Sequence, residues 1–151
     1  MTQFAPRDPD FDARVRTSFA RQQLMQTLDV RLLRVAPGEC DLEMPFAAAF
    51  TQQHGFLHAG TLTSVVDSAC GYAALSLMAP GAAVMSVEFK VNLMAPAAGE
   101  RLLARGRVVR SGRTLTIVAG EGFMCSGDEE RHVFTMLGTM MAVEGRAGIA
   151  D

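Results

Sequence analysis

Residues 52–78 read QQHGFLHAGTLTSVVDSACGYAALSLM, and this stretch decides how the rest of the chain is arranged. It opens as a loop rich in Gly and His and continues as one long helix. From Leu62 onward the apolar residues fall at 62, 65, 66, 69, 70, 73, 74 and 77, the i, i+3, i+4 spacing of a helix with one buried stripe. Ala69, Gly71, Ala73 and Ala74 keep the helix slim, so it can lie close against other backbone. Pro80-Gly81 stops it, and the helix is expected over 59–78. Between Glu43 and Glu88 the only Asp, Glu, Lys or Arg is Asp67, at the edge of the apolar stripe. Its i±3 and i±4 neighbours are Thr63, Ser64, Cys70 and Gly71, none of them a cation. A lone carboxylate beside a buried face is costly unless something holds it. It is either a boundary residue reaching water or a functional group.

The surrounding composition excludes several classes of function. The 151 residues suffice for a single domain, 1–151, with a proper core. Apolar content of 49% with 20% charged residues fits a soluble globular protein. A net charge of -2 gives no reason to expect nucleic acid or an anionic membrane as partner. The first twenty residues are charged throughout, so no signal peptide is expected. The most apolar span, 69–85, is broken by Pro80-Gly81 and cannot cross a bilayer. Cys40, Cys70 and Cys125 are odd in number and form no CxxC pair, which fits a reducing cytoplasm and neither a disulfide framework nor a cysteine zinc site. The ten methionines read as core filler.

Along the chain, Asp8-Pro9 is a helix start with Asp as N-cap and Pro at N1. Phe11, Val15 and Phe19 dock one face of that N-terminal helix, which lies within 1–27 and ends near Met25. Val30 to Val35 reads as a strand. After Pro37-Gly38, Cys40, Leu42 and Met44 alternate with Glu39, Asp41 and Glu43 in a second strand with one wet face. Beyond the central helix, Met85, Val87, Phe89, Val91 and Leu93 alternate with Ser86, Glu88, Lys90 and Asn92. Arg101–Arg110 and Thr114–Met124 are two strands joined by a Ser111-Gly112 turn. His132–Val143 is the last strand, and 144–151 is expected to fray. Short joints after Met85 argue for an antiparallel sheet. The predicted class is α+β: a curved antiparallel sheet wrapped around one long central helix, with an N-terminal helix.

The order of elements, with the loop and helix at its centre, resembles the hotdog fold, and in particular the PaaI-like acyl-CoA thioesterases. The family pattern is Asn or Gln, a few residues, HGG, then an acidic residue eight positions past the first Gly of that pair. Here Gln52 precedes His58-Ala59-Gly60, and Asp67 lies eight past Ala59. The strand and loop SVEFKVNLMAP, and the hairpin Arg110-Ser111-Gly112-Arg113-Thr114, are similar to later family features. HGG is HAG in this chain; a requirement for positive φ there would cost alanine on the order of 1 kcal/mol or more.

What the resemblance implies is hydrolysis of an acyl-CoA to free acid and coenzyme A, with no cofactor beyond the coenzyme A of the substrate. The backbone N–H groups of Ala59 and Gly60 at the helix N-terminus would form the oxyanion hole. Asp67, two turns into the same helix, would act as general base or as nucleophile. Gln52 would orient the thioester or the water, His58 would fix the loop, and Ser86 would hold water. Arg110, Ser111, Gly112, Arg113 and Thr114 would meet the coenzyme A phosphates, with Lys90 a weaker candidate; arginines at a hairpin tip are also commonly just solvated. Phe56 is a candidate for the acyl pocket and equally for the core. In the family the site lies between two subunits, which would place Asp67 of one chain near Ser86 of the other in a homodimer or tetramer. Two alternatives share the fold: a non-catalytic acyl-CoA binder and a hydratase. His54 and His58 are four apart, but Gly55 interrupts any helix between them, so no metal is expected. Cys70 lies on the apolar stripe, where a thiol is inert.

Overall fold

A computed structural model describes residues 4–149 and 151. The elements run α1 (Phe11–Arg21), α2 (Gln23–Thr27), β1 (Arg31–Ala36), β2 (Glu39–Pro45), a 3-10 turn (Ala48–Phe50), α3 (Ala59–Leu75), β3 (Ala83–Leu93), β4 (Arg101–Ser111), β5 (Leu115–Ser126) and β6 (Glu129–Val143). The strands form one six-stranded sheet in the order β1-β2-β4-β5-β6-β3, every neighbouring pair antiparallel. The sheet curves around α3, which is the hotdog fold expected from the sequence.

The apolar stripe of α3 is the centre of the core. Leu62, Val65, Val66, Ala69, Cys70, Ala73 and Ala74 are all buried, as is Leu77 just past the helix end. The slim helix meets glycines on the sheet. A Cβ added at Gly106 of β4 would lie 2.3 Å from the carbonyl oxygen of Ala69, and one at Gly120 of β5 would lie 2.5 Å from Val66 Cγ1. Only a bare backbone permits that approach.

The helix boundaries differ from those expected. The Asp8 side chain accepts from the Asp10 N–H at 2.9 Å and faces Arg14 Nε at 3.3 Å, so Asp8 shapes a turn and α1 begins at Phe11. The chain breaks at Gln22, whose φ, ψ of -80°, 100° is extended, dividing the expected helix into α1 and α2. Met1–Gln3, part of the expected N-terminal segment, lie outside the described residues. At the far end, α3 stops at Leu75 rather than 78, because its last carbonyls are satisfied by other groups. Ser76 Oγ donates to Ala73 O at 2.7 Å and accepts from Gly38 N at 2.8 Å. Arg14 donates to Leu75 O and Met78 O, each at 2.9 Å, and to Ala79 O.

Three features of the sheet also depart from the sequence reading. The β4–β5 loop is three residues, Gly112–Thr114, closed by Gly112 N–H to Leu115 O at 2.9 Å, with a bulge at Val109. β6 begins three residues early, at Glu129, because Gly127 at φ 56° makes the turn tight. The alternation of β3 is interrupted: Ser86 pairs with Met140 and Glu88 with Thr139, leaving Val87 as an extra, unpaired residue. The bulge reverses the faces. Ser86 looks inward beside the buried Met140, and Phe89, Val91 and Leu93 share that inner face with it rather than with Met85. β3 is also a sheet edge, and Met85, Val87, Phe89 and Leu93 are each 43–54% exposed. The tail, expected to fray, returns to α1, where Ser18 Oγ donates to Asp151 Oδ1 at 2.6 Å; residue 150 is not among those described.

Candidate active site

The loop before α3 is built to present the helix N-terminus. Gln52 N–H donates to Phe56 O at 2.8 Å across a turn in which Gly55 has φ 83°. The Gln52 side-chain oxygen turns back to accept from the His54 N–H. His58 is the N-cap of α3: its Nδ1 accepts from the Gly60 N–H at 2.9 Å, while its own N–H donates to Phe50 O at 2.9 Å. His58 therefore fixes the loop, as expected, and in doing so it engages one of the two N–H groups expected in the oxyanion hole. Ala59, the first helical residue, keeps its N–H without a partner among the described residues. Its φ is negative, Asp29 being the only non-glycine at positive φ among the described residues, so alanine costs nothing here.

Asp67 is partly buried on α3, and Ser86 Oγ donates to its Oδ1 at 2.8 Å. Burial pushes the carboxyl above its ordinary range, and the Ser86 hydrogen bond opposes that shift. Ser86 comes from the same chain, not from a partner as the sequence reading placed it; the β3 bulge turns it inward onto its own α3. A cavity of about 480 Å³ opens beside this pair. Its wall includes Gln22, Ser68 and Tyr72, none of which sequence reasoning selected. Gln22 Nε2 donates to Ser68 Oγ at 3.2 Å, and the Tyr72 hydroxyl donates to Gln22 Oε1 at 3.3 Å. The legible signal was on the helix wheel. Ser68 and Tyr72 stand four apart, flanking Asp67 and Gly71.

The remaining expected residues are placed further out. Arg110, Gly112, Arg113 and Thr114 are exposed, and Ser111 is half-buried, at the end of the β4–β5 hairpin. Arg7 donates to Gly112 O at 3.3 Å. Among the described residues neither Arg110 nor Arg113 makes an ion pair. The hairpin lies at the Ser86 end of the sheet, since Thr116 pairs with Met140 and Met140 with Ser86. Lys90 is exposed on β3 and donates to Asn92 Oδ1 at 2.8 Å, and Phe56 is half-buried in the loop. Cys70 is fully buried, and burial pushes its thiol up.

A half-buried carboxylate beside a cavity, on a helix whose capped N-terminus carries a free N–H, within this fold, fits the family match: residues 54–129 match the model of the thioesterase superfamily, and the chain belongs to that family. Its chemistry is the hydrolysis of thioesters. A thioesterase family protein from Silicibacter pomeroyi has a solved structure that is 52% identical, covers 89% of this chain and 99% of its own, and superposes with a TM-score of 0.88. A protein of Saccharolobus solfataricus, named provisionally as an esterase, is 31% identical over 64% of this chain and 68% of its own length. The PaaI protein of the Escherichia coli phenylacetic acid degradation operon, 20% identical over 90% of this chain and 95% of its own, shares the fold with a TM-score of 0.81. No helix among the described residues is long and apolar enough to cross a membrane.

Proposed function

We propose that this chain hydrolyses acyl-CoA thioesters in sites shared between two copies of itself. The observation that carries the reading is the Asp67–Ser86 pair at the wall of the cavity. It is a single carboxylate, held by one hydroxyl and pushed by burial above its ordinary range, which makes it a better proton acceptor. Water attacks the thioester carbon, Asp67 takes its proton, and the oxyanion rests on the Ala59 N–H. Collapse expels the coenzyme A thiolate, which recovers the proton. Alternatively Asp67 attacks directly and water opens the anhydride. Single turnover in isotopically labelled water separates the two, because only the anhydride route can leave label in the Asp67 carboxylate.

Helix geometry supports a composite site. Eight residues of α-helix separate the Ala59 N–H from Asp67 by about 12 Å along the axis, shortened only slightly by the lean of the side chain toward the N-terminus. The oxygen and the attacked carbon of one thioester are bonded neighbours, so one helix serves them poorly. A two-fold partner would bring its Ala59 to this chain's Asp67. The open edge of β3, with Met85, Val87, Phe89 and Leu93 exposed, is the surface through which two sheets would join, and two dimers would form the tetramer. Arg110 and Arg113, without ion pairs among the described residues and at the Ser86 end of the sheet, would meet the coenzyme A phosphates, and Gln52 would orient the thioester from the loop. No cofactor enters the reaction. A hydratase would need a histidine as acid and base, and the Nδ1 of His58 is already occupied as a cap.

The test is thiol release from a panel of acyl-CoAs by wild type and Asp67→Ala side by side. Release by wild type alone supports the reading. Release by both would sink the role of Asp67, and binding without release by wild type would favour a non-catalytic acyl-CoA binder.

A further inference from the structure

We propose that the cavity beside Asp67 ends in a carboxylate-binding subsite, and that the acyl groups it takes carry a second carboxylate at their far end. This deepens the thioesterase reading of Asp67 and rests on it. The structure displays the subsite filled by the chain's own tail. Asp151 Oδ1 accepts from Ser18 Oγ at 2.6 Å and lies 3.4 Å from Arg21 Nη2, while Oδ2 accepts from the Val84 N–H at 3.3 Å. A hydroxyl, a guanidinium and a main-chain amide thus converge on one carboxylate, and the bonds to it are charge-assisted. All three donors belong to the body of the fold. Ser18 is 7% exposed on α1, so its hydroxyl requires a partner inside the cavity. Val84 stands at the start of the edge strand, ahead of the stretch through which two copies would join, and its N–H donates to the tail carboxylate rather than to β6.

The subsite is in line with the reacting carboxylate. Val84 precedes Ser86 by two residues on β3, roughly 7 Å along the strand, and Ser86 holds Asp67. Both ends open on the same cavity, and Gly71 of α3 leaves the wall between them without a side chain. A thioester carbon at Asp67 and a carboxylate at Ser18 and Val84 are therefore bridged by a few methylenes. An acyl chain of the same length ending in a methyl group would bury Ser18 Oγ and the Val84 N–H with no acceptor, which is the kind of mismatch that discriminates strongly between substrates. The tail carboxylate would then be a competitor that the substrate displaces.

The experiment compares kcat/KM for glutaryl-CoA with that for pentanoyl-CoA, which differs only in lacking the terminal carboxylate, in wild type, Arg21→Met, Ser18→Ala and Asp151→Asn. The expected result is a wild-type preference for glutaryl-CoA of at least tenfold. That ratio should fall at least fivefold in Arg21→Met and in Ser18→Ala, and rise in Asp151→Asn through a lower KM for glutaryl-CoA. Arg21 is 58% exposed, so its replacement should leave the fold intact, which the melting temperature checks. Hydrolysis of both substrates with no preference, or a ratio unchanged in both Arg21→Met and Ser18→Ala, overturns the subsite while leaving the thioesterase standing. If wild type hydrolyses neither, the acyl-CoA panel decides the thioesterase reading and calorimetric binding decides the subsite. Tighter binding of glutaryl-CoA that is lost in Arg21→Met upholds it, and equal binding of the two overturns it.

Discussion

Replacing Arg14 by Met should strike stability and the site together. Arg14 and Asp8 are only 10% and 9% exposed, and the guanidinium donates to Leu75 O, Met78 O and Ala79 O where α3 ends. Methionine keeps the apolar stem but removes every donor. Three carbonyls then lose their partner, and the Asp8 carboxylate is left next to an apolar side chain. Breaking a buried pair in this way costs roughly 3–5 kcal/mol, against under about 1 kcal/mol for an exposed pair. At about 2–4 °C per kcal/mol for a chain of this size, the melting temperature should fall on the order of 10 °C. Thermal denaturation followed by circular dichroism reads the change. Adding Asp8→Asn should recover part of the loss, because the orphaned charge is among its costliest remainders. Turnover should fall too, since the same helix carries Ser18 and Arg21 to the cavity and is followed directly by Gln22. A melting temperature within about 2 °C of wild type would refute the claim that this arginine bolts α1 to the end of α3.

Four further outcomes are expected. Asp67→Asn should lower kcat at least a hundredfold, yet raise the melting temperature near neutral pH. A carboxyl whose pKa is raised in the fold contributes stability below its unfolded value, and that contribution is lost as pH rises through the folded value, so the gain from Asn should vanish in acid. Ser86→Ala removes the one influence that lowers the Asp67 pKa, so the acidic limb of the pH–rate profile should move to higher pH; an unmoved limb would detach Ser86 from the titration. Gly106→Ala sets a methyl 2.3 Å from Ala69 O, and urea denaturation should show a loss of about 1–3 kcal/mol from overpacking. Finally, Ala59→Pro, which removes the N–H at a position where proline suits a helix, and Asp67→Asn should each be inactive alone. Refolded together as random dimers they should regain about a quarter of wild-type turnover, because half the dimers carry one complete site of two. No recovery would place both groups in one chain.

The helix and its carboxylate were legible because burial acts on α3 with a period the sequence cannot disguise. Eight stripe positions stood out, and all eight are buried. Asp67 was visible as the lone charge in a long uncharged run. The orientation of β3 was not legible. A bulge leaves no periodic trace, and the pairs Ser86–Met140 and Glu88–Thr139 exist only once β6 is alongside. The same holds for the early end of α3, which depends on Arg14 arriving from sixty-one residues away in sequence. Gln22 could not be found by spacing either, since its value lies in an extended backbone between two helices. Local rules see propensity and pattern. They do not see a partner supplied by tertiary packing, and the cavity wall is made of such partners.

Gly106 and Gly120 form a bare track on which α3 rests, Gly106 against the main chain of Ala69 and Cys70 and Gly120 against the side chains of Val66 and Cys70. The height of the Asp67 carboxylate above the sheet is thereby set by main-chain atoms at Gly106 and by the two small side chains that rest on Gly120. The methionines and leucines of the core around the track can be exchanged for others of similar volume while Asp67 stays where it is. The track itself has no such freedom, since any side chain added there would push the helix, and Asp67 with it, away from the sheet.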